Sequence, residues 1–299
     1  MTERTIEIAE YALDKGKHDA AFHFGIEVST VERKVRAYYQ HTRDPEPQPK
    51  ILIFDIETLP IVAVTWGVWN VNISPVNILQ DWSLLSYSYK WLSDENVDGD
   101  VLTPTEAVAR DDKRITEGIW ELLNEADVVI GYNSIKFDER KMNAKFLEHG
   151  LGKPSPYKSI DLYQAAKRMF ANTFNKMDWV NKVAGIDRKL ENAGMKLWIG
   201  CHEGDKQSLD TMMEYNLVDT EITEQLYIRI LDWIPNHPNM ALYFSDEEPM
   251  CHKCASTDVV LTDRKHYTSA SVFDLYHCPH CNSYSRSKKR SATTELRPV

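Results

Sequence analysis

Long apolar runs are missing from this 299-residue chain, and none approaches the roughly 18 residues that a membrane-spanning helix needs. The first ten residues hold acidic side chains and no apolar stretch, so a secretory leader is not expected and the protein is predicted to stay in the cytoplasm. Positive charge is scarce: 35 Lys and Arg meet 45 Asp and Glu, a formal net charge of −10. So acidic a chain does not coat nucleic acid along its surface, although a local site with bound cations stays open. Cysteine is sparse, five in all, and no internal repeat is visible. Four of the five form two Cys-x-x-Cys pairs, which here read as metal ligands before disulfides. The bulk composition, 42% hydrophobic and 27% charged, is that of a globular protein, and the length suggests roughly two domains.

Composition breaks divide the chain. Residues 1–44 read as a helical module, with helices expected over Thr5–Lys15, Asp19–Phe24 and, behind the N-cap Ser29, as far as Tyr39. Ala20, Ala21, Gly25, Val31 and Val35 follow a helix-turn-helix pattern, in which the third helix would present Thr30, Arg33, Lys34 and Arg36 to nucleic acid. A plain three-helix packing module fits the same residues. Residues 45–50, with Pro45, Pro47 and Pro49, read as a linker. Residues 51–237 read as an α/β domain, a mixed sheet with helices on both faces. Its expected strands are Lys50–Glu57, Ile61–Val68, Leu84–Trp91, Asp127–Gly131 and Ser159–Leu162. Its expected helices are Arg114–Asn124, Phe137–His149, Tyr163–Phe170 and Ser208–Leu231.

The chemistry starts with Asp55 and Glu57, at the end of the most apolar strand. Residues i and i+2 share a strand face, and two like charges on one buried face repel unless something cationic compensates. Divalent metal is the natural partner of carboxylate oxygens. A strand that has simply reached solvent would account for this pair equally well. On the long helix, Met212, Tyr215, Asp219, Ile222, Leu226 and Ile230 are spaced to share one face, so Asp219 interrupts an apolar stripe one turn after Tyr215. Between these segments, Asn133 lies in a polar loop and Asp138 in the first turn of a helix, where the helix dipole alone would favour an acid.

Together the three segments resemble the exonuclease motifs of the DEDD superfamily, Tyr subclass, the family of proofreading 3′–5′ exonuclease domains. The motifs are Phe54-Asp55-Ile56-Glu57-Thr58, Asn133-Ser134-Ile135-Lys136-Phe137-Asp138 and Tyr215-Asn216-Leu217-Val218-Asp219, and the resemblance covers residues 51–232. It is nearest to the exonuclease domains of family B polymerases and to free-standing phage or bacterial relatives. It implies an RNase H-like mixed five-stranded sheet with flanking helices. It further implies phosphodiester hydrolysis from a 3′ end of DNA, or of RNA as the alternative, with two Mg²⁺ or Mn²⁺ ions and release of 5′-mononucleotides. Asp55 would bridge the ions, Glu57 and Asp219 would hold the water-activating one, Asp138 would support the other, and Tyr215 would orient the water. Thr58, Leu59 and Asn133 would contact the terminal nucleotide, Leu59 as a wedge against a base. Asp161 is a candidate supporting acid. Lys136, Arg140, Lys141 and Lys145 mostly read as solvated.

Residues 248–285 read as a zinc ribbon. Cys251, Cys254, Cys278 and Cys281 have the spacing of a tetrahedral structural zinc site, with strands expected at Val259–Leu261 and Ser271–His277. His252, His277 and His280 are reserve ligands, and Cys201 is left unpaired. Residues 286–299 read as a basic tail, through Arg286, Lys288, Lys289 and Arg290. The competing readings are a catalytically silent DNA-binding regulator and an exonuclease subunit that docks a polymerase or another replication protein. The compact multi-module layout suggests a phage-encoded protein. No membrane partner is expected.

Overall fold

The structure, a computed structural model, describes residues 3–28, 30–31, 34, 49–92, 94–186, 194–244 and 249–296. The chain divides into two units, Met1–Gln48 and Pro49–Val299.

In the first unit, α1 (Glu3–Lys15) and α2 (Lys17–Phe24) pack through Ile8, Ala12, Ala20, Ala21 and Val31. Gly25 ends α2 in the left-handed conformation, φ 62°, as its position predicts. Most of the expected third helix, including Ser29, Arg33, Val35 and Arg36, lies outside the described residues, as do residues 45–48 of the linker. Val31 fills the core as expected. Lys34 does not point outward: its Nζ donates to Thr5 Oγ1 of α1 at 3.2 Å.

The second unit is built on a five-stranded sheet of order β5-β4-β1-β6-β7. The strands are β1 (Ile51–Leu59), β4 (Ser83–Trp91), β5 (Asp98–Val101), β6 (Val128–Gly131) and β7 (Lys158–Asp161). β1 runs parallel to β6 and antiparallel to β4, so the sheet is mixed, as expected. Pleating sends Leu52, Phe54 and Ile56 to one face, into a core shared with Ile115, Ile119 and Leu123 of α4 (Lys113–Glu125). Met142 and Phe146 of α5 (Asp138–Glu148) join that core. Ile53 points to the other face, into a second core with Leu226 and Ile230 of the long helix α9 (Lys206–Ile230). Shorter helices complete the unit: α3 (Pro104–Ala109), α6 (Leu162–Met169), α7 (Met177–Ala184) and α8 (Met195–His202). β5, α3, α7 and α8 were not anticipated.

Ile61–Val68 does not form a strand of the main sheet. Both edges of β1 are taken by β4 and β6, so the run has no place beside it. Only β2 (Val62–Ala63) pairs, with β3 (Ile78–Gln80), leaving Trp66 and Trp69 on an exposed excursion at 101% and 87% accessibility. Arg110 ties its base, Nη1 donating to Pro60 O at 2.8 Å and Asp81 O at 2.7 Å.

The C-terminal ribbon is a three-stranded antiparallel sheet of β8 (Val260–Tyr267), β9 (Ser271–His277) and β10 (Tyr284–Thr293). Residues 286–293 of the expected basic tail therefore belong to its third strand: β9 offers a free edge that β10 pairs. The ribbon's cysteine end is docked on the main unit. Lys253, 8% exposed, donates from Nζ to Leu231 O at 2.7 Å and Asp232 O at 2.8 Å, a cation on the carbonyls that end α9.

Candidate active site and cysteine cluster

The apolar strand β1 reaches the site through a bulge between Glu57 and Thr58. Asp55 and Glu57 follow Ile53 on the α9 face, directly opposite Ser88 and Ser86 of β4. From α9, Asp219 approaches the same place. Carboxylate oxygens of Asp55, Glu57 and Asp219 all lie within 4.8 Å of one another. The Tyr215 hydroxyl donates to Asp219 across one helical turn. The fourth expected acid, Asp138, is adjacent but turned differently. Buried at 3% exposure, it accepts from Ile56 N–H at 3.3 Å through Oδ1. It thus grips the strand between the two acids while its charge bears on both.

The electrostatics are those of a site built for cations. Burial, then the charges of Asp138, Glu57 and Asp219, push the Asp55 carboxyl well above the ordinary range. Burial and then Asp219 push Glu57 up to about 8. Burial raises Asp138 to about 7, against the hydrogen bond from Ile56. Burial raises Asp219 to about 6, against the hydrogen bond from Tyr215. Among the described residues no Lys or Arg offsets these four carboxyls. An all-oxygen donor set with excess negative charge fits divalent cations.

One residue of the site escaped the sequence reading. Asn216 is fully buried and donates from Nδ2 to Asp55 Oδ2 at 2.7 Å, while its Oδ1 accepts from Ser86 Oγ at 3.0 Å. Ser88 Oγ reaches Asn216 O at 2.7 Å and Thr220 Oγ1 at 2.6 Å, and Lys90 Nζ meets Glu224 at 2.6 Å. Alternate residues of β4 thus match every fourth residue of α9. Two strand residues span about 6.8 Å and four helical residues about 6 Å, so the two ladders stay nearly in step. The signal was present as Ser86-x-Ser88-x-Lys90 and Asn216-x-x-x-Thr220-x-x-x-Glu224. The buried stripe of α9 therefore includes Asn216, Thr220 and Thr223, and Tyr215 and Asp219 are half-buried at its border rather than central to it.

The expected nucleotide contacts fare unequally. Leu59 is fully buried in the core, so it is not a wedge against a base: the bulge before it returns its side chain to the interior. Thr58 is half-buried beside the acids. Asn133 takes φ 63° in the loop after β6, with its N–H bonded to Asp161 Oδ1 at 2.9 Å. Asp161 also caps α6, accepting from Tyr163 and Gln164 N–H, so it supports the loop. Gly131 allows that loop to fold back: a Cβ there would sit 2.6 Å from Ser134 Cβ. Lys145 is not solvated; it is buried against Asp112 at 2.9 Å and Glu148 at 2.8 Å. Lys141 covers the Trp82 ring at 3.6 Å. Cys201 is a buried core thiol.

The four ribbon cysteines converge, their Sγ atoms all within 4.8 Å of one another. Cys251 and Cys281 are 3.4 Å apart and Cys254 and Cys278 3.6 Å, too long for disulfides of about 2.04 Å. Four ligands about 2.3 Å from one ion would stand about 3.8 Å apart, close to these spacings. His252 bonds Ser285 Oγ at 2.8 Å and His277 bonds Asn282 Oδ1 at 3.0 Å, so both histidines have other partners.

A family model agrees with the fold. Residues 94–231 match the RNase_H_2 family model of the RNase_H superfamily, so the chain contains an RNase H-like domain. Among solved structures, the family B DNA polymerase of the hyperthermophilic archaeon Pyrobaculum calidifontis is similar at 21% identity and a TM-score of 0.46. The match covers 62% of this chain and 25% of the polymerase, so the chain spans about a quarter of that protein's length. No curated protein matches the sequence.

Proposed function

We propose that the protein is a metal-dependent nuclease, specifically a 3′–5′ exonuclease that releases 5′-mononucleotides from single-stranded or frayed DNA ends. The observation that carries this reading is the convergence of Asp55, Glu57 and Asp219 within 4.8 Å, with Tyr215 bonded to Asp219. The donor set suits two Mg²⁺ or Mn²⁺ ions, which when bound supply positive charge to the leaving oxygen and lower the pKa of water. Asp55, fixed by Asn216, would hold both. Glu57 and Asp219 would hold the one on the water side, and Asp138 the other. The Tyr215 hydroxyl donates to Asp219 and leaves its lone pairs for the attacking water, which it would orient. Asn133 and Thr58 would contact the terminal nucleotide. The four cysteines suit one structural Zn²⁺.

The test is hydrolysis of 5′-labelled single-stranded DNA and RNA of one sequence, with Mg²⁺, Mn²⁺ or EDTA, beside Asp55→Ala and Asp219→Ala. A metal-dependent ladder shortening from the 3′ end and absent from both variants is expected, and the better-cleaved strand identifies the preferred sugar. No cleavage by folded wild type would leave a binding role in its place.

A further inference from the structure

Among the described residues, none buries either face of the ribbon sheet: every residue of its central strand β9 is half-buried and none is buried. Strand register sorts its side chains, because residues directly opposite one another share a face. Phe273 is paired with His266 and Arg290, Leu275 with Arg286, and His277 with Tyr284. This face is aromatic and basic, and none of these paired positions is acidic. Asp274, the acid of β9, points to the opposite face, where it meets Lys265 and Ser291 at 2.6 and 2.7 Å. The Arg286 guanidinium lies 4.2 Å from the Phe273 ring centre, and the His277 and Tyr284 rings are 4.8 Å apart. Residues 249–293 carry seven Lys and Arg against three Asp, a net +4 within a chain of −10, which leaves −14 for the remainder.

We propose that this face is a second nucleic-acid site, which holds a single strand with Arg286 and Arg290 on phosphates and Phe273 and Tyr284 against bases. The acidic remainder of the chain repels a polyanion outside its metal site, and the ribbon carries the opposite sign. The exposed Tyr284 ring and the half-buried Phe273 ring, beside guanidinium groups, suit unstacked bases and are indifferent to sequence. A duplex hides its base faces and would leave the rings unused. The inference rests on the nuclease reading only for its choice of polymer, since binding here needs no hydrolysis.

The experiment measures anisotropy of fluorescein-labelled oligo-dT and of a duplex across a salt series, with the full chain in an Asp219→Ala background. Arg286→Ala/Arg290→Ala should weaken single-strand binding at least tenfold at low salt. It should also flatten the log–log salt slope by about 1.4, or about 0.7 for each phosphate no longer neutralised. Phe273→Ala should weaken binding about fivefold or more, because a base no longer stacks there. Zinc content and melting temperature matching the parent establish that the ribbon stays folded. Unchanged affinity and slope in the arginine pair overturn the proposal. Equal weakening on duplex with Phe273→Ala silent overturns it in favour of duplex backbone binding. Weakened binding in these variants, with no hydrolysis by wild type, would sink the exonuclease reading and leave this one standing.

Discussion

The two candidate metal clusters sit in opposite relations to the fold around them. Asp55, Glu57 and Asp219 are brought together by a complete hydrophobic core, on a strand whose other face carries Leu52, Phe54 and Ile56. The fold forces these like charges together, and they strain it. Cys251, Cys254, Cys278 and Cys281 close a ribbon whose strands β8, β9 and β10 contain no buried residue, at the end that packs on the second core. On the proposed zinc reading, the ligands there would hold the fold together. A functional cluster is stabilised by removing a ligand, whereas a structural cluster collapses.

The largest expected effect sharpens that contrast from the thiol side. Structural zinc contributes about 10–16 kcal/mol of apparent binding energy to small metal-folded units. Cys254→Ser/Cys278→Ser should therefore abolish zinc binding and melt the ribbon. The RNase H-like sheet, with its own two cores, should keep a separate cooperative transition. Zinc release and a two-step thermal melt measure this. A single unchanged melt would mean that the cysteines are not what holds the ribbon.

The carboxylate side should respond with the opposite sign. Glu57→Gln removes one charge from the cluster and should cut hydrolysis at least about 100-fold, through weaker cation binding. In metal-free buffer at pH 8 the same change should raise stability, by roughly 1–2 kcal/mol after allowance for solvent screening. The pH dependence follows from the Glu57 carboxyl, near 8 in the folded chain against an ordinary 4.5. The native state binds the extra proton, so its stability without metal falls as pH rises through that window. Below it the group is neutral in both states and costs nothing. Saturating Mg²⁺ should flatten the decline, and Glu57→Gln should shrink it. A metal-free melting temperature that rises from pH 5 to pH 8 would show that the carboxylates do not strain the fold.

Sequence alone located the acids because strand periodicity and helix spacing constrain where such side chains go. Asp55 and Glu57 share a face by the two-residue repeat, and Tyr215 and Asp219 are one helical turn apart. Four thiols at knuckle spacing were equally legible. What escaped depends on pairing between distant segments. Leu59 looked free to meet a base until the bulge after Glu57 turned it inward. Arg286 and Arg290 looked like a loose tail until β9 supplied an edge for them. Asn216 was hidden because its partners are 130 and 161 residues away, at Ser86 and Asp55.

Asn216 belongs both to the fold and to the chemistry. Asn216→Ala removes the hydrogen bond that lowers the Asp55 carboxyl, so that group should become harder to ionise. It also leaves buried Ser86 Oγ without its acceptor, a decrease of about 1–3 kcal/mol in stability. Metal affinity should weaken about 10–100-fold, as for other groups that orient a ligand. Activity should recover in part at higher Mg²⁺ or higher pH, which a purely structural role would not allow.

The smallest expected effect returns to the ribbon. The residue after each Cys-x-x-Cys pair takes a left-handed conformation, φ 56° at Ala255 and φ 60° at Asn282. Asparagine tolerates that region, whereas the alanine Cβ costs about 1–2 kcal/mol there. The turn at Ala255 also directs its N–H to Cys251 O at 3.0 Å, a bond that glycine makes equally well. Ala255→Gly should therefore strengthen the cysteine cluster by about 1 kcal/mol, after the extra backbone entropy of glycine is set against the relieved strain. The sign should appear as slower zinc release to a chelator, with hydrolysis unchanged, because the first core, through Leu52, Phe54, Ile56 and Met212, still holds β1 and α9 in place. Faster zinc release would show that Ala255 contributes packing against the second core that outweighs its strain.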